Sequence, residues 1–108
     1  MESILFSSLQ RMQRIEQLQS LLNRTNLEVC VICDENKWYF SIKGQRNDVR
    51  PFTGEKSDVV IEGRLEELKQ FLYGDDFLLS MKKRGQIGVE GCLNDLLTLE
   101  SLWYLSNV

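Results

Sequence analysis

Asp58-Val59-Val60-Ile61-Glu62-Gly63-Arg64-Leu65, with Leu68, Phe71 and Leu72 behind it, is the stretch on which the fold turns. Val59, Val60 and Ile61 are consecutive and β-branched, the composition of a strand covered on both faces. Gly63 ends the run. The spacing of Leu65, Leu68, Phe71 and Leu72 then becomes helical, and Gly74 is placed to cap the helix. The same corner recurs 28 residues later as Val89-Glu90-Gly91-Cys92-Leu93 with Leu96. A glycine at each corner permits a tight turn and a close helix-to-strand approach. Two copies are too few for a solenoid, so they read as two similar strand-to-helix corners.

Working outward, residues 3–24 carry Leu5, Leu9, Met12, Ile15, Leu18 and Leu22 at helical spacing and predict one long amphipathic helix. Its stripe is expected to pack on a sheet; the alternative is a seam between two copies. Leu27–Cys33 alternates with Leu27, Val29, Val31 and Cys33 on one side. After a polar turn, Trp38–Lys43 alternates with Trp38, Phe40 and Ile42 on one side, which makes a hairpin. Gly44–Asp48 is a turn. Val49–Thr53 is a third strand, at an edge because Pro51 would interrupt a central ladder. Downstream, Asp75 or Asp76 caps a short helix over 77–83, and Gln86–Glu90 is a fifth strand with Ile87 and Val89 inward. A last helix over 93–105 is apolar on most sides. The expectation is one α/β (α+β) domain over residues 1–108.

Apolar residues make up 43% and charged residues 27% of the chain, an ordinary globular composition. Thirteen Lys and Arg against sixteen Asp and Glu give a net charge of -3, which argues against non-specific nucleic-acid or anionic-membrane binding. There is no His, so the commonest general base, metal ligand and nucleophile partner is missing and a conventional hydrolase is not expected. The first residues lack the basic and long apolar segments of a secretory signal, and no run approaches a membrane span. With three Cys, free thiols and a cytoplasmic setting are the expectation.

Cys30-x-x-Cys33 invites a redox or zinc reading. Three residues apart in a strand, however, the two thiols fall on opposite faces, and with no His a zinc site would have only Cys92 and a carboxylate to complete its four ligands. Asp75-Asp76 and Glu66-Glu67 suit helix N-termini, and Lys82-Lys83-Arg84 suits a helix C-terminus; an anionic headgroup is the functional alternative for the basic trio. No metal, cofactor or catalytic residue is assigned. What remains is apolar: Phe71, Phe77, Met81, Leu99 and Trp103 from three helices, with Trp38, Phe40 and Ile87 from strands. They form either a filled core or the walls of an apolar pocket.

The order of elements, with Asp58–Ile61, Leu65–Gly74, Met81, Gly85-Gln86-Ile87-Gly88-Val89-Glu90-Gly91 and the aromatic strand Trp38–Lys43, resembles the sterol carrier protein 2 family. The resemblance implies a single five-stranded, mainly antiparallel sheet with helices covering one face. It implies a non-enzymatic bacterial-type carrier whose hydrophobic tunnel takes a lipid, fatty acid or fatty acyl-CoA. The ligand-binding residues are then Trp38, Phe40, Phe71, Phe77, Met81, Ile87, Leu99 and Trp103, with Met81 directed under the last helix near Phe77 and Trp103. The partner is an apolar small molecule, with no nucleic acid and no integral membrane association. The alternative is an interaction or homodimerisation module of the same fold with a filled core.

Overall fold

A computed structural model of the chain describes residues 1–43 and 48–107. Its elements run α1 (Glu2–Gln13), a 3₁₀ turn (Glu16–Leu18), α2 (Gln19–Arg24), β1 (Asn26–Cys33), β2 (Asn36–Lys43), β3 (Val49–Pro51), β4 (Val59–Gly63), α3 (Leu65–Leu72), α4 (Leu78–Lys83), β5 (Gly88–Glu90) and α5 (Leu93–Ser106). The five strands make one mixed sheet in the order β3-β2-β1-β4-β5. Only the central pair β1/β4 is parallel; the other three pairs are antiparallel. The turn expected at Gly44–Asp48 lies, but for Asp48, outside the described residues.

Alternation in β1 and β2 fixes the faces. Val29 pairs with Phe40 and Val59, and Val31 pairs with Trp38 and Ile61, so these side chains share one side. The helices bury that side with Leu5, Leu9 and Met12 of α1, Leu68 and Phe71 of α3, and Leu96, Leu99 and Trp103 of α5. The opposite face carries Glu28, Cys30, Tyr39 and Ser41. Chain direction requires residues 52–58, leaving edge strand β3, to pass β2 and β1 before starting β4. Arg50 stands over the Tyr39 ring at 4.9 Å and pairs with Glu55 at 2.7 Å, so this connection runs over the outer face. It is pinned at its ends, where Phe52 N–H donates to Lys37 O (3.0 Å) and Asp58 N–H to Glu28 O (2.8 Å). The cover explains why Cys30 and Tyr39 are buried on the outer side.

The single helix expected over 3–24 is broken. Ile15 is extended (φ -89, ψ 111) between α1 and the 3₁₀ turn. The Gln19 side chain donates to Gln13 O at 2.6 Å and satisfies a carbonyl exposed by the break. A straight helix over those residues would be about 33 Å long, as long as the greatest extent of the molecule, 33 Å. The break lets Leu18 and Leu22 turn back onto the sheet instead of overshooting it.

Both corners that decide the fold need glycine, for different reasons. A Cβ on Gly63 would stand 2.9 Å from Ile87 Cγ2, so this corner depends on close approach. Gly91 has φ +149, and a Cβ there would stand 2.9 Å from the Asp58 carbonyl oxygen and 3.2 Å from Val59 Cγ2.

Candidate functional site

The site is built from the inner face of the sheet and the helices above it. Alternation points Val31, Phe40 and Ile61 up from three neighbouring strands. From above, α1 contributes Leu5, α3 contributes Leu68, Phe71 and Leu72, and α5 contributes Trp103. Together they line a wholly apolar cavity of about 10 Å³. Three aromatic rings form its centre: Phe40 lies 5.9 Å and Phe71 lies 5.4 Å from Trp103, centroid to centroid. Offset and tilted contacts at such separations are the favourable arrangements of aromatic rings.

One edge of this aromatic centre is held by hydrogen bonds. The Leu72 carbonyl, at the end of α3, accepts from Arg11 Nη2 (3.2 Å) and Asn107 Nδ2 (3.3 Å). Asn107 Nδ2 also donates to Trp103 O at 2.7 Å. Arg11 thereby ties α1, and Asn107 ties the end of α5, to the same point on α3. Elsewhere α5 is held to α4 by Glu100, which accepts from Leu79 N–H at 3.0 Å.

The sequence-derived residues divide into three groups. Phe40, Phe71 and Trp103 meet at the cavity. Met81, Ile87 and Leu99 are buried in the same core but do not line it. Trp38 is half-buried on β2, and Phe77 is 44% exposed. Phe77 was expected inside near Met81. It occupies the extended position that opens α4 (φ -102, ψ 139), and its ring turns outward to stack on Tyr104 at 5.2 Å. Leu5, Val31, Ile61, Leu68 and Leu72 line the cavity without having been singled out. Their signal was present in the helical stripes and the strand alternation, but the register that joins them is not written in any one segment.

A cavity of 10 Å³ admits about one water, whereas small-molecule pockets span about 300–1,000 Å³. The layers are closed on one another. Two larger clefts of about 450 Å³ each lie at the surface, one bounded by Asp34, Glu62, Arg64 and Glu67, the other by Arg24, Asn26 and Asp95. The first is walled by polar and charged side chains, while the second mixes Leu21 and Leu27 with its polar residues.

The thiols lie as strand geometry requires. Cys33 is on the inner face and Cys30 on the outer. Burial raises the pKa of both; the neighbouring Asp34 charge pushes Cys33 further in the same direction. Reactive thiols have the opposite shift. Among the described residues no group of three or more Cys, Asp or Glu is arranged to hold a metal ion. No helix among them is long and apolar enough to cross a membrane.

With this geometry in view, solved structures of similar shape decide the fold. A protein described as UbiJ-SCP2 ubiquinone synthesis protein superimposes with TM-score 0.74 and 18% identity, covering 97% of this chain and 86% of that one. The chain has the sterol carrier protein 2 fold. Sterol carrier protein domain 2 of Helicoverpa armigera matches with TM-score 0.70 and 18% identity over 98% of this chain and 84% of that one. A further sterol carrier protein 2 matches with TM-score 0.69 and 14% identity over 99% and 95%. No family model matches the sequence, and no curated protein matches it. The sterol carrier protein 2 fold is thus shared over nearly the whole chain at a level of identity where individual side chains differ.

Proposed function

We propose that this chain binds and carries an apolar small molecule, a lipid, fatty acid or fatty acyl-CoA, between its sheet and its helices. The observation that carries the reading is the all-apolar, aromatic-centred seam of Phe40, Phe71 and Trp103 in a sterol carrier protein 2 fold. The work is binding: desolvating an alkyl chain is worth about 0.8 kcal/mol per methylene, so about a dozen methylenes supply ~10 kcal/mol toward parting the layers. The closed cavity is the ligand-free form, and entry requires α5 to move away from Phe40 and Phe71. Met81, Leu99 and Ile87, already buried beside the seam, would become further wall. Trp38 would sit at its sheet-edge end, and Phe77 at the outer rim beside Tyr104.

Native mass spectrometry of the purified protein, followed by titration of the delipidated protein with the neutral fluorophore N-phenyl-1-naphthylamine, tests this. The expected result is a co-purified apolar molecule and saturable fluorescence at one site per chain. A ligand-free dimer that takes up no fluorophore would overturn the reading in favour of a homodimerisation module with a filled core.

A further inference from the structure

The aromatic centre contains one polar group with nothing to bond. Trp103 is 1% exposed, and its indole Nε1 is buried without a hydrogen-bond partner. A buried indole N–H is normally bonded, and leaving it unbonded costs free energy that a wholly apolar aromatic side chain would not incur. Ser8 repeats the pattern. It is 1% exposed, its hydroxyl is also buried and unpartnered, and it lies on α1 one turn beyond Leu5. A helical serine ordinarily has a carbonyl one turn back to bond; Ser8 leaves it unused. The two unbonded groups therefore sit on the two helices that, through Leu5 and Trp103, form part of the same cavity.

Resting on the carrier reading above, we propose that the ligand carries an uncharged acceptor oxygen, of the ketone, ester or ether kind, which Trp103 Nε1–H binds inside the protein. A plain hydrocarbon would leave the donor unsatisfied in the bound state as in the free one. A carboxylate at the same depth would bring an unpaired charge into a wholly apolar lining, at a far higher desolvation cost. A neutral acceptor resolves both difficulties. Ser8, on the neighbouring helix, supplies a second unbonded donor, a hydroxyl, for a ligand with two oxygens.

The test is a thermodynamic cycle on the intact chain. Two probes, a symmetrical dialkyl ketone of eleven carbons and the alkane of the same length, displace N-phenyl-1-naphthylamine from wild type and from Trp103→Phe. Differences in hydration between the probes cancel in the cycle. The expected result is that Trp103→Phe weakens the ketone about tenfold more than it weakens the alkane, the effect of one hydrogen bond worth about 1.4 kcal/mol. Equal changes for both probes, with fluorophore binding intact, overturn the acceptor site and leave the carrier reading standing. Absence of fluorophore binding by wild type overturns both. Should Trp103→Phe fail to fold, the proton–nitrogen correlation spectrum of the wild-type indoles decides, with Trp38→Phe giving the assignment. The Trp103 N–H signal moves downfield with the ketone and not with the alkane. An identical response to the two probes refutes the site.

Discussion

Replacing Gly91 by alanine probes the second corner of the fold directly. The new Cβ would lie 2.9 Å from the Asp58 carbonyl oxygen, 3.2 Å from Val59 Cγ2 and 3.4 Å from Leu96 Cδ2, at a backbone φ of +149. Retreat of the carbonyl is blocked. Asp58 N–H already donates to Glu28 O at 2.8 Å, and Asp58 Oδ2 accepts from Glu28 N–H at 2.9 Å. Two costs therefore add: about 1–3 kcal/mol for an L-residue in that backbone region, and about 1–3 kcal/mol for overpacking. A total of roughly 2–6 kcal/mol removes a large part of the 5–15 kcal/mol typical of a domain. The melting temperature should fall by roughly 10–30 °C. Two further variants separate the costs. Gly85→Ala has φ +75 with nothing within 4 Å of the new Cβ, so only the backbone cost remains, about 1–2 kcal/mol. Gly88→Ala meets nothing nearer than 3.8 Å at an ordinary φ, and should change stability by less than about 0.5 kcal/mol. Urea unfolding followed by circular dichroism measures all three. If Gly91→Ala is no worse than Gly85→Ala, the contact with the Asp58 carbonyl is wrong, and so is the close packing of α5 on β4.

Met81→Trp tests how full the interior is: Met81 is fully buried, so the added volume should destabilise the ligand-free protein by about 1–3 kcal/mol in thermal unfolding, and a gain in stability would reveal room at this position beyond the 10 Å³ cavity. Ser8→Ala removes an unbonded buried hydroxyl and improves helix propensity, so the urea midpoint should rise by the equivalent of up to about 1 kcal/mol at unchanged slope; a loss of that size would mean that Ser8 has a partner in the folded protein. Iodoacetamide should modify the exposed Cys92 and spare Cys30 and Cys33 until the chain unfolds, with mass spectrometry of peptides as the readout. Because burial raises the pKa of Cys30 and Cys33, the unfolded thiols lose protons first as pH rises. Their contribution is intact below the ordinary thiol range and declines as pH climbs through it toward the folded pKa. A Cys30→Val/Cys33→Val variant should show a shallower alkaline decline than wild type, and an identical decline would refute the assignment.

Short-range pattern carried most of the architecture. Val29, Val31, Phe40 and Ile42 announced their inward face by alternation. Gly63 and Gly91 marked the corners, and Pro51 placed β3 at an edge. Features set by long-range geometry were less legible. Nothing in the spacing of Met12, Ile15 and Leu18 says that a straight helix would overrun the sheet, because the size of the sheet is a property of the assembled chain. Phe77 looked like core by composition, yet its position at the opening of α4 turned it outward onto Tyr104. The site shows the same division. Phe40, Phe71 and Trp103 were identifiable as apolar candidates, but the space left between them depends on how closely two layers settle, which no residue count contains. The unbonded Trp103 N–H was equally hidden, since every tryptophan has that donor and only the packed structure shows whether an acceptor reaches it.

The parallel pairing at the centre of the sheet has a consequence for how the chain is made. β1 meets β2 through a two-residue turn, but its other neighbour, β4, lies 30 positions on, with Val29 opposite Val59. Hairpins close in microseconds, whereas distant pairings wait for the chain between them. During synthesis, the β1–β2 ribbon therefore stands with one flank of β1 open until residues 59–63 emerge. Through that interval the nascent chain offers an apolar, hydrogen-bond-hungry edge to any passing strand. Ribosome-bound chains from which Asp58 has not yet emerged should pair wrongly and aggregate, and chains from which Gly63 has emerged should lose that tendency as β4 closes the flank, before α5 is free to cover the sheet.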